Sequence, residues 1–189
     1  MKINLPNRLT LLRIILIPIF VVLASFEILY CQLAAAVVFA VACITDYLDG
    51  NIARKRNLVT NFGKFADPIA DKMLVMSAYV VLVGQERMPA WVCIIFLARE
   101  FTISGFRLVA AGSGKVIAAG ILGKIKTATQ MVASIMLLIL VPCNGKADSA
   151  LLGNVGIIVT NVMMYIAVVM TVWSGTDYIY KNRSFIKDM

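Results

Sequence analysis

Four aspartates fall in two short intervals: Asp46 and Asp49 are three residues apart, Asp67 and Asp71 four apart. On helices each pair lies on one face, one carboxylate above the other. If the Lys55 to Phe62 segment turns the chain back, all four converge on one small volume, where like charges so close are tolerated only around a cation. Carboxylate oxygens are hard ligands and the chain has no histidine, so Mg²⁺ or Mn²⁺ is expected and zinc is not. Gly50 and Arg54 follow Asp46 at i+4 and i+8, Ala53 follows Asp49 at i+4, and Gly63 stands four before Asp67. Bulk is missing where an extended ligand would lie, and a guanidinium waits for a phosphate. A polyphosphate bridged by metal ions fits this pattern better than a bare ion.

The elements that must carry these residues are apolar. With 61% hydrophobic residues and a mean hydropathy of +0.89, the chain reads as one all-α integral membrane domain over residues 1–189. Six transmembrane helices are expected at about residues 14–28, 32–53, 69–84, 89–111, 124–142 and 151–174. Of the 18 Lys and Arg, only Arg87 and Lys146 then fall on one side, so the other side, with both termini and the aspartates, is cytoplasmic. The cell membrane is the expected location. Residues 1–13 read as a short N-terminal interfacial amphipathic helix, and Pro18 as a kink in the first span. The basic start and the run Ile14 to Ala24 mimic a signal peptide, but no small-x-small cleavage site follows. A carboxylate at mid-membrane costs about 2.5 to 3.5 kcal/mol, so the aspartates must line a water-filled active-site cavity open to the cytoplasm. Cys31, Cys43, Cys93 and Cys143 lack CxxC spacing and read as packing residues.

A second group of charges lies in the fourth span. Arg99 and Arg107, eight apart, stand within about 80° of each other on a helix, and intramembrane ionisable residues tend to mark a substrate path. A phosphate clamp beside the metal site is one reading; a structural ion pair of Arg99 with Glu100, or of Arg107 with an aspartate, is the other. Lys124 and Lys126 open the fifth span, where positive-inside flanking and phosphate binding explain them equally. Whether Thr10, Arg13 or Lys115 touches substrate stays open. The GSGKV stretch at 112–116 fails as a P-loop, because Val109 and Val116 stand where glycine and Ser or Thr are needed.

The spacing Asp46-x2-Asp49-Gly50-x2-Ala53-Arg54-x8-Gly63-x3-Asp67-x3-Asp71 resembles, at every position, the signature of the CDP-alcohol phosphatidyltransferase family. The resemblance implies a six-helix membrane fold, usually a homodimer, that joins the phosphatidyl group of a CDP-linked lipid to an alcohol and releases CMP. It implies that Asp46, Asp49, Asp67 and Asp71 bind divalent metals, two ions in all, and that Asp71 is the base for the acceptor hydroxyl. It further implies that Asp49, Gly50, Ala53, Arg54 and Gly63 accommodate the CDP group. No serine, cysteine or histidine nucleophile stands in the signature, so direct displacement with inversion at phosphorus is expected.

The segments LPNRLTLLR, REFTISGFR and GKIKTATQ look like the branch of the family that takes CDP-diacylglycerol and glycerol 3-phosphate. Arg99, Arg107, Lys124 and Lys126 carry more positive charge than serine or choline would need, so they are assigned to the acceptor phosphate, with inositol phosphate the nearest competing acceptor. A cation or phosphate transporter is the rival of a different class. It would show paired inverted halves with broken midplane helices, whereas these acids gather in one place. The charge of +8 does not point to nucleic acid, since no basic patch is interleaved with aromatics.

Overall fold

A computed structural model of the chain describes residues 5–55, 61–113, 120–141 and 153–183, with side chains described for these apart from 5–9, 46–55, 61–65 and 68. Among the described residues six helices and no strands are found: α1 (Leu5–Ser25), α2 (Leu29–Lys55), α3 (Asn61–Gly84), α4 (Ala90–Gly112), α5 (Ile121–Leu140) and α6 (Gly153–Lys181). The expected all-α architecture is therefore present. Two of the helices, α5 and α6, are long and apolar enough to cross a membrane, and Thr10–Ser25 and Leu29–Thr45 form shorter apolar stretches.

The N-terminal region differs from the expectation. No separate interfacial helix precedes the first apolar run, because α1 continues unbroken from Leu5 through Pro18 to Ser25. Thr10 and Arg13, which an interfacial helix would leave at a surface, are fully buried. Packing of α1 against both α2 and α3 covers the face that carries Thr10 and Arg13, while Leu11, Leu12 and Ile14 between and beside them stay exposed.

Helix approach is set by small residues. Ala24, Ala35, Ala36 and Ala42 are fully or almost fully buried, so α1 and α2 come close enough for Phe20 and Phe39 to meet with ring centroids 5.6 Å apart. Tyr79 of α3 and Phe96 of α4 pack at 5.3 Å, and Leu137, Leu138, Met164 and Ala167 extend the core into α5 and α6. Ile15, Val22, Val37, Val80, Ile94, Leu108, Val155 and Val169 point outward. An apolar exterior around an apolar core is the pattern of a helix bundle immersed in lipid. Cys43 and Cys93 are buried and Cys31 half-buried, in keeping with a packing role.

Local chemistry ends the helices. The last turn of α3 closes as a Schellman motif: the Arg87 N–H donates to the Leu82 carbonyl at 3.0 Å and the Glu86 N–H to the Val83 carbonyl at 3.1 Å, with Glu86 left-handed at φ 58°. Pro89, extended at φ −61° and ψ 138°, then starts α4, where its missing N–H costs nothing.

Candidate active site

α3 carries Asp67 and Asp71 one turn apart near its start, both half-buried, while Ala66, Ala70 and Leu74 turn the neighbouring face into the core. Thr10 of α1 donates its hydroxyl to Asp67 Oδ1 at 2.5 Å. The other Asp67 oxygen takes no partner among the described residues, so the carboxylate is held by one edge and open at the other. Arg13 lies one turn along α1 from Thr10, fully buried.

Asp71 faces a cavity of about 50 Å³ between α3, α4 and α5, whose polar lining is Asp71, Lys72, Tyr79, Glu100, Lys126, Thr127 and Gln130. That volume holds a few water molecules. The Tyr79 hydroxyl is buried there and makes no hydrogen bond among the described residues. Phe96 and Leu97 form part of its apolar wall.

Glu100 joins two of the four expected acceptor-phosphate residues. Its Oε2 accepts from Lys126 Nζ at 2.5 Å and from Arg99 Nη1 at 3.4 Å. Lys126 is 2% exposed, so it is no solvated flanking lysine. Arg99 threads between α5 and α6 because glycines stand on both sides. A Cβ on Gly175 would lie 3.3 Å from Arg99 Cγ, and one on Gly123 3.6 Å from Arg99 Nη2. The structural ion pair weighed for Arg99 and Glu100 thus exists, and Lys126 completes it.

The other two expected residues have different neighbours. Arg107 donates from Nε to the Tyr178 hydroxyl at 3.2 Å and its guanidinium lies 5.3 Å from the centre of that ring, a cation–π contact. Lys124 is exposed on the first turn of α5. Asp46, Asp49, Gly50, Ala53 and Arg54 belong to α2 and Gly63 to α3, but their side chains lie outside the described residues, as does Lys115. Among the described residues no group of three or more metal-ligating side chains is found. The donors that are described suit a hard divalent cation: two carboxylates one turn apart on α3, Asp67 having one oxygen without a partner among the described residues.

Thr10, Tyr79, Glu100 and Gln130 were not assigned from sequence. For Thr10 a signal existed in its place on the α1 face shared with Arg13. For Glu100 the local signal was the neighbouring Arg99, while its second partner Lys126 and the Thr171 partner of Gln130 lie on other helices and Tyr79 has no local pattern to mark it.

Comparison with known proteins now bears on this arrangement. A family model described as CDP-alcohol phosphatidyltransferase matches residues 3–173. A CDP-diacylglycerol–glycerol-3-phosphate 3-phosphatidyltransferase of Bacillus subtilis (strain 168) is 45% identical, with 97% of each chain covered. Proteins of the same name from Escherichia coli (strain K12) and Rickettsia typhi (strain ATCC VR-144 / Wilmington) are each 38% identical, the first over 100% of both chains and the second over 96% of this chain and 98% of the relative.

Proposed function

The chain belongs to the CDP-alcohol phosphatidyltransferase family, and from that premise we propose that it moves the phosphatidyl group of CDP-diacylglycerol to glycerol 3-phosphate, giving phosphatidylglycerophosphate and CMP. The observation that carries the reading is the pairing of Asp71 with Lys126 and Glu100 around one cavity, a proton acceptor beside a buried cation.

In this reading the acceptor phosphate rests on Arg99, Arg107, Lys124 and Lys126, which aims its free hydroxyl at the phosphorus bearing diacylglycerol. Asp71 takes the hydroxyl proton. The acceptor oxygen forms a bond to that phosphorus as the bond to the CMP oxygen breaks, CMP leaving with the electron pair and the configuration inverting. Asp46, Asp49, Asp67 and Asp71 would hold two Mg²⁺ or Mn²⁺ ions, which when bound neutralise the pyrophosphate and the departing nucleotide. Thr10 orients Asp67 within that set. Asp49, Gly50, Ala53, Arg54 and Gly63 leave room for the cytidine and its phosphates.

The architecture proposed with it is a single membrane domain over residues 1–189, six helices crossing the cell membrane, a cavity and both termini facing the cytoplasm, and a homodimeric assembly. The outward-facing aliphatic side chains of all six helices support the spanning part.

The test is CMP release by purified protein given CDP-diacylglycerol, Mg²⁺ and an acceptor panel of glycerol 3-phosphate, inositol phosphate, serine and phosphatidylglycerol. Turnover with glycerol 3-phosphate alone, stopped by EDTA and restored by Mg²⁺ or Mn²⁺, is the expected result. Turnover that survives chelation, or a preference for another acceptor, refutes the reading. A chiral thiophosphate substrate should show inversion at phosphorus.

A further inference from the structure

Glu100 has no part in the reaction as drawn, yet one of its oxygens contacts two of the residues that do. We propose that Glu100 is a positioning residue for the acceptor: a shared anion that holds Arg99 and Lys126 side by side with donors to spare. The proposal rests on the assignment of those two cations to the acceptor phosphate.

The geometry requires such an anion. Arg99 comes from the middle of α4 and Lys126 from the second turn of α5, and two like charges on different helices have no reason to stay together. A lysine ammonium on a flexible stem reaches for water when it can, and lysines are almost never fully buried unless paired. Lys126 is nevertheless 2% exposed, and its counter-charge is Glu100 at 2.5 Å. The same oxygen lies 3.4 Å from Arg99 Nη1. Because residues 99 and 100 are about 100° apart around α4, Arg99 runs toward the Gly123 and Gly175 backbones while Glu100 turns to the cavity and meets Lys126.

The pairing leaves capacity unspent. An ammonium has three donors, and Lys126 uses one of them on a side chain. Arg99 keeps Nε buried without an acceptor. Glu100 itself is a third exposed and shares the cavity wall with Asp71 and Lys126, so an anion arriving from the aspartate side meets Lys126 without first displacing the glutamate, and Arg99 stands behind the shared carboxylate. A phosphate dianion can use these donors; an uncharged alcohol cannot.

The experiment is steady-state kinetics of Glu100→Gln, Glu100→Asp and Lys126→Met on the full-length protein in detergent, with KM measured separately for glycerol 3-phosphate and CDP-diacylglycerol. Glu100→Gln keeps the shape and removes the charge. It should raise the glycerol 3-phosphate KM about tenfold or more while the lipid KM changes less than about twofold, and Glu100→Asp should recover part of the loss. In a Lys126→Met background, Glu100→Gln should add far less than its single effect, because the two act as one unit. That double variant also covers the case in which Glu100→Gln alone folds poorly, since it removes both members of the pair. An unchanged acceptor KM in Glu100→Gln, parallel rises in both KM values, or full multiplicative effects in the double variant overturn the proposal. If Lys126→Met itself leaves the acceptor KM unchanged, the acceptor assignment fails instead.

Discussion

Two buried polar clusters stand at opposite ends of the bundle, and they meet the same physical demand in different ways. At the end away from the aspartates, Gln32, Gln85 and Arg87 are buried and spend their donors on backbone. Gln32 donates to the Ala24 carbonyl at 2.8 Å and the Phe26 carbonyl at 2.5 Å, and Gln85 also donates to Ala24. Arg87 donates to Gln32 at 2.8 Å and to the Leu138 carbonyl at 3.2 Å. Ala24 and Leu138 lie in the last turns of α1 and α5, whose carbonyls have no intrahelical donor, so the cluster ties those helix ends to α2 and to the turn after α3. At the aspartate end, Thr10 with Asp67 and Arg99 and Lys126 with Glu100 bind side chain to side chain, and Glu100 and Lys126 share a cavity wall with Asp71. Side chains bound to backbone carbonyls hold helix ends in place; side chains paired with one another around a cavity are what a ligand can bind. The difference, more than burial or charge alone, separates the stabilising end of this protein from its working end.

Substitutions at the two ends should therefore separate activity from stability. The largest effect is expected for Asp71→Asn, which removes the proposed base without changing shape. CMP release should fall by about 100-fold or more, while the unfolding temperature in detergent stays within a few degrees. Arg87→Leu should do the reverse, losing about 3 kcal/mol of stability by stranding Gln32 and the Leu138 carbonyl. Its KM values, measured on protein that remains folded, should match those of the parent. If Arg87→Leu instead alters acceptor KM at full stability, the division between the ends is wrong.

Smaller changes sharpen the contrast. Thr10→Val deletes the hydroxyl that holds Asp67, and activity should drop about tenfold, with partial recovery at high Mg²⁺ because a loosened ligand weakens metal binding. Gly175→Ala places a methyl 3.3 Å from Arg99 Cγ, a contact that the arginine stem relieves by shifting. Acceptor KM should rise about threefold with the lipid KM unchanged. The smallest effect belongs to the opposite end: Glu86 adopts φ 58° on the surface, so Glu86→Gly should raise stability by about 1 kcal/mol, read as a higher unfolding temperature with no kinetic change.

Much of the architecture was legible in the linear chain. Six apolar runs correspond to six helices, with ends shifted by up to about nine residues, and the spacing of Asp67 and Asp71 places both on one face of α3. The N-terminal helix was misjudged because Arg8, Thr10 and Arg13 alternate with leucines, a pattern that an interfacial helix and a buried helix with polar partners share. Only the partner decides between them, and for Thr10 it is Asp67, 57 residues away. The same limit applied to Lys126, which reads as a flanking charge until Glu100 of α4 is found beside it.

What the chain by itself determined was the class of chemistry and the kind of fold, because ligand type, helical spacing and apolar length are local properties. What the tertiary structure decided was which charges face each other. Thr10 with Asp67, Lys126 with Glu100, Arg107 with Tyr178 and Arg87 with Gln32 each join different helices. Those pairings follow from how six helices pack against one another, and the energy that selects one packing is spread over the small and aromatic residues of the whole core.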